Sequence, residues 1–99
     1  MLKIRKGTTV QVQVEILSDD DQPVPLVDVA QVVLKLLDPE TKEVLHMVDC
    51  HVVDEAHGIV EFDPGVIREG VYERKFEITF VDGSVLVIPN AKQEYVMIW

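Results

Sequence analysis

Gly70-Val71-Tyr72-Glu73-Arg74-Lys75-Phe76-Glu77-Ile78-Thr79-Phe80 decides the fold class. Its large residues, Tyr72, Phe76, Ile78 and Phe80, fall on alternate positions, with Glu73, Lys75, Glu77 and Thr79 between them. A period of two buries one set and wets the other, so the segment reads as a strand packed on one side. Asp82-Gly83 follows, and then the apolar run Val85 to Ile88. An Asp-Gly pair between two such runs predicts a β-hairpin whose two central residues both take positive φ.

The remainder of the chain extends the same pattern. Valine occupies 19 positions and alanine three, a bias toward sheet. Thr8 to Ile16 reads as a strand with Val10, Val12, Val14 and Ile16 inward. Leu2-Lys3-Ile4 reads as a short edge strand before it, with Gly7 as the break. Ser18 to Pro23 is a turn, rich in residues that bond their own backbone or fix φ. Val29 to Leu37 reads as a strand, with Val32, Leu34 and Leu36 on one face and Val33 and Leu37 on the other. A run so nearly continuous predicts cover on both sides, by another element or another chain. The alternative is a helix over Val27–Leu37 that Pro39 would terminate; the β-branched content favours the strand.

Further strands are expected at Lys42–Val48, His51–Asp54, Gly58–Phe62 and Glu94–Trp99. A single helical turn is expected between Asp63 and Glu69. Seven to nine short strands with turn signals every 8–12 residues or so predict an all-β antiparallel β-sandwich. Ninety-nine residues make one domain, 1–99. A chain of this length buries roughly 60–68% of its unfolded surface, enough for a core without staples.

Composition narrows the function. Nine basic residues against 18 acidic ones leave a net charge of −9. Phosphate binding needs clustered Lys and Arg, so nucleic acid is not an expected partner. The single cysteine, Cys50, excludes an internal disulfide. No charged-then-apolar leader is recognisable, and no apolar run approaches the ~18 residues of a membrane span. The expectation is a soluble chain from a reducing compartment, without a membrane partner.

Four segments occur in order: Ile4-Arg5-Lys6-Gly7-Thr8-Thr9-Val10, Gly58-Ile59-Val60-Glu61-Phe62, Gly70 to Ile78, and Asp82-Gly83-Ser84 leading to Ile88-Pro89-Asn90. Together they resemble the immunoglobulin-like domain of phage baseplate upper proteins and related tail and fibre proteins. The resemblance implies an immunoglobulin-like sandwich that serves virion assembly. Arg74 departs from it, since that position more often holds a small residue. Gly70-Val71-Tyr72 also resembles the tyrosine corner of such sandwiches, in which the hydroxyl bonds to upstream backbone. Arg74 stands where the sandwich cysteine would be.

Candidate chemistry is sparse. His46, Cys50, His51 and His57 lack the paired spacing of a zinc site, and adjacent strand residues Cys50 and His51 point to opposite faces. Asp19-Asp20-Asp21, with Asp82 or Asp63, offer oxygen ligands of the kind calcium takes, but the loop lacks EF-hand spacing and reads as a solvated turn. Ser18 and Ser84 lack a nucleophile-elbow context. The five glycines form no phosphate-binding loop. No cofactor, metal or catalytic residue is therefore expected, and the chain does not read as an enzyme.

Tyr95-Val96-Met97-Ile98-Trp99 remains open between core and contact surface, because Tyr, Met and Trp are enriched at interface cores. The interface residues expected are Val33, Leu37, Tyr95, Met97 and Trp99. The functional expectation is a virion protein of a bacteriophage or prophage, assembled in the host cytoplasm. It would dock or space tail or baseplate components, associating with itself and with other virion proteins. A head fibre or capsid decoration protein is one alternative, and a cellular ligand-binding sandwich module is another.

Overall fold

A computed structural model describes residues 2–5 and 11–99. It contains β1 (Leu2–Ile4), β2 (Val12–Glu15), β3 (Val29–Leu37), β4 (Val44–Asp54), β5 (Ile59–Phe62), β6 (Gly70–Phe80), β7 (Val85–Ile88) and β8 (Tyr95–Ile98), with one 3-10 turn at Pro64–Val66. The fold is all-β, and Val29–Leu37 is a strand rather than a helix. The strands join in one curled mixed sheet, a half-barrel, in the order β1-β8-β6-β3-β4-β5-β2. β7 and β8 lie end to end along the edge of β6 that faces away from β3. Among the described residues no helix is long and apolar enough to cross a membrane.

Three expectations are corrected, and one lies partly outside the described residues. The sheet is not wholly antiparallel, because β1 runs parallel to β8 with Leu2 opposite Val96 and Ile4 opposite Ile98. A parallel pair needs a long connection, and here nearly the whole domain supplies it. The strands expected at Lys42–Val48 and His51–Asp54 are one strand, β4, whose first part pairs with β3 and whose end pairs with β5. No glycine or proline interrupts Asp49-Cys50, so the strand continues while its partner changes. The second strand covers Val12–Glu15; the expected start at Thr8, inward Val10 and the break at Gly7 lie outside the described residues. In the hairpin only Gly83 has positive φ, +90°. The Phe80 amide donates to the Ser84 carbonyl across a three-residue loop, and such a loop needs one left-handed residue, not two.

The core fills the inside of the curl. Val32, Leu34 and Leu36 of β3 lie beside Phe76 and Ile78 of β6 and Val48 of β4, all buried. Ile16, Leu26, Val60 and Phe62 close one end, and Ile4, Val96 and Ile98 the other.

Tyr72 stands at the start of β6 with its ring buried and its hydroxyl donating to the Arg68 carbonyl at 2.6 Å, the bond expected from Gly70-Val71-Tyr72. The His46 ring meets it edge-on at 5.5 Å. Tyr72→Phe keeps the ring and removes the bond. Denaturant unfolding is expected to show a loss of about 0.5–1.5 kcal/mol; no loss would mean that the corner is ornamental.

Candidate interaction surface

Alternation places Val33 and Leu37 of β3 and Tyr95 and Met97 of β8 on the convex face of the sheet, opposite to the core. Trp99 follows in the same phase. Leu37 lies opposite Glu73, and Glu73 opposite Tyr95, so one cross-strand row joins β3, β6 and β8. The five sequence-predicted residues thus share a face but not a patch.

Val33 and Leu37 are only 8% and 9% exposed. Among the described residues no second layer covers them. Long polar side chains of the same sheet do so. Gln31 donates to Asp49 at 3.2 Å on one side of Val33, and Lys35 pairs with Glu77 on the other. Beside Leu37, the Glu73 carboxylate is buried and accepts from Lys42 Nζ at 2.7 Å. That bond raises the Lys42 pKa above its ordinary value.

What remains open lies toward β8. Val71 stands opposite Met97, exposed beside half-buried. Trp99 is 53% exposed, with the Arg5 guanidinium over its ring at 5.1 Å. Val71, Met97 and Trp99 form the apolar end of the face. Val71 is absent from the expected set, although its odd phase with Glu73 and Lys75 already points it outward. Met47 is also exposed on this face.

The other candidates are placed as follows. Cys50 is half-buried on the inner phase of β4, and burial pushes its thiol up to about 12. The half-buried His46 packs on Tyr72, and His57 Nδ1 lies 2.9 Å from the Asp54 carboxylate. Among the described residues no three His, Cys, Asp or Glu converge as a metal site. Asp19 accepts from the amides of Ala91 at 2.8 Å and Asn90 at 3.1 Å, and Asp21 pairs with Lys92. These amides, Ala91 first, hold the Asp19 carboxyl below its ordinary pKa. The acidic loop is therefore a tie across the open seam of the half-barrel, between the end of β2 and the β7–β8 connection. Asp63 accepts from Gly65 and Asp82 from Ser84, each within its own turn.

Arg74 lies on the inner phase at that seam. Its guanidinium stacks over Phe76 at 5.7 Å and comes within 4.0 Å of Glu94. Burial lowers its pKa, and among the described residues its Nε has no hydrogen-bond partner. A void of about 50 Å³ beside it is lined by Glu15, Lys92 and Glu94 among others, too small for more than water.

Compared with known proteins, the chain matches no family model, and no curated protein matches its sequence.

Proposed function

We propose that this chain is an immunoglobulin-like β-sandwich domain and a structural protein of a bacteriophage or prophage virion. It docks or spaces tail or baseplate components through protein–protein contacts. The fold reading is supported by the Tyr72–Arg68 bond, by the parallel β1–β8 pair, and by β4 passing from β3 to β5. The viral reading rests on the four resembling segments. The observation that carries an assembly role is the apolar end of the convex face, where Val71, Met97 and Trp99 lie on a sheet with no second layer among the described residues. Burying such area is what drives association.

Self-association through this patch is tested by solution mass from light scattering. The mass is expected to exceed the monomer at high micromolar concentration, and Val71→Glu should return it to the monomer with the thermal midpoint little changed. A strict monomer overturns self-association. Mass spectrometry of purified particles made by the encoding genome tests the virion reading, and absence of the chain from them overturns it.

A further inference from the structure

Among the described residues, the outer edge of β7 is unpaired. The Phe80 amide donates to the Ser84 carbonyl at 2.9 Å, which makes Phe80–Ser84 a hydrogen-bonded pair. In an antiparallel ladder such pairs recur at every second residue. Ile78–Leu86 and Phe76–Ile88 are the next two by register. The amides and carbonyls of Val85 and Val87 therefore point away from β6. Among the described residues no strand pairs with β7 on that side.

Edges are ordinarily blunted by charge or proline. β1 carries Lys3 and β2 carries Glu15, whereas the open stretch of β4, Val44 to Val48, is apolar apart from His46 and is flanked by Glu43 and Asp49. β7 is Val85-Leu86-Val87-Ile88, with no charge, and its first three side chains are 56%, 41% and 38% exposed.

Leu86 opens onto a cleft of about 300 Å³ at the seam, shared with Val24 and Ile88 and rimmed by Asp19 and Asp20. At the hairpin end a second hollow is lined by Val27, Phe80 and Val81, with Asp28 and Asp82. Among the described residues, no Lys, Arg or His lies within ion-pair distance of Asp20, Asp28 or Asp82. Among the described residues the edge thus offers two unpaired backbone positions, an apolar slot and carboxylates without an ion-pair partner at both ends. A second copy does not suit it, because the same carboxylates would meet across the pair in a chain of net charge −9.

We infer that β7 is a docking edge for an extended segment of a partner protein in which aliphatic residues alternate with lysine or arginine. The segment adds a strand through Val85 and Val87. It seats an aliphatic side chain beside Leu86 and places its cations by Asp20 and Asp82. This inference stands apart from the viral reading and from the Val71–Met97–Trp99 patch.

The test uses the full chain and two capped hexapeptides, Lys-Val-Lys-Val-Lys-Val and Glu-Val-Glu-Val-Glu-Val, followed by titration and amide hydrogen exchange. The cationic peptide should bind at least about tenfold tighter than the anionic one and slow exchange at Val85 and Val87. Val87→Pro removes an amide that bonds nothing in β6, a position where an edge strand tolerates proline; it should abolish binding. Asp20→Asn with Asp82→Asn should weaken the cationic peptide and not the anionic one, and it serves if the proline variant does not fold. The inference is overturned by absence of binding, by equal affinity for both peptides, by binding that survives Val87→Pro, or by protection elsewhere. Protection of Val85 and Val87 that grows with protein concentration alone would name a second copy as occupant and overturn it too.

Discussion

Phe76→Ala is expected to cost about 3–5 kcal/mol of unfolding free energy. The ring is 1% exposed, the largest of the fully buried side chains, and lies between Leu34 of β3 and Ile88 of β7. Its loss leaves a cavity on the inner face between β3 and β7. It also strips the Arg74 guanidinium of the ring beneath it, in a place where that side chain already has a buried Nε without a partner among the described residues. A domain of this size holds on the order of 5–15 kcal/mol in all. Each kcal/mol moves its thermal midpoint by about 4–8 °C, so the midpoint should fall by on the order of 20 °C. A denaturant-derived loss below about 1 kcal/mol would mean that the core is not centred on this ring.

Gly58→Ala is expected to follow closely, for a different reason. Gly58 has φ +65°, and an added Cβ would stand 2.4 Å from the Val24 carbonyl oxygen and 3.2 Å from that of Ile16. Both neighbours are backbone and cannot rotate away. They are also tied in place, since the Ile16 amide donates to the Gly58 carbonyl and the Val24 amide to the Ile16 carbonyl. The left-handed conformation alone costs about 1–2 kcal/mol; displacing the 16–24 segment should bring the total to about 2–4 kcal/mol. Gly83→Ala is the control: it too has positive φ, but nothing lies within 4 Å of its Cβ. Hydrogen exchange should show the amides of Ile16, Val24 and Leu26 loosened in the first variant and unchanged in the second. Equal stability of the two would sink the steric account.

Local pattern made β6 legible, because Tyr72, Phe76 and Ile78 alternate with charged residues over a full strand. The hairpin was legible too, though its loop is one residue longer than Asp82-Gly83 implies. Partner choice was not. Nothing in Asp49-Cys50-His51 marks the point at which β4 leaves β3 for β5, because the exchange depends on the curl of the whole sheet. The β1–β8 pair joins residues more than 90 positions apart, and no local period encodes that. The same limit affected the candidate surface. The alternation of Val33 and Leu37, and of Tyr95, Met97 and Trp99, put all five on the convex side. Whether Val33 is open depends on Gln31 reaching Asp49 and Lys35 reaching Glu77 across strands. The exposed β7 edge looked like any other apolar run, since no local pattern tells whether a strand lies beside Val85 and Val87, and among the described residues none does.

The parallel β1–β8 pair has a mechanical consequence. Leu2 and Ile98 lie at opposite ends of the two paired strands, so tension applied between them acts along the strands. The hydrogen bonds of the pair, with the Trp99 amide bonded to the Ile4 carbonyl at 2.9 Å, then share the load in shear. They must yield together, whereas an antiparallel pair pulled from one end would unzip bond by bond. A domain tethered at these two points resists stretching with its shortest strand.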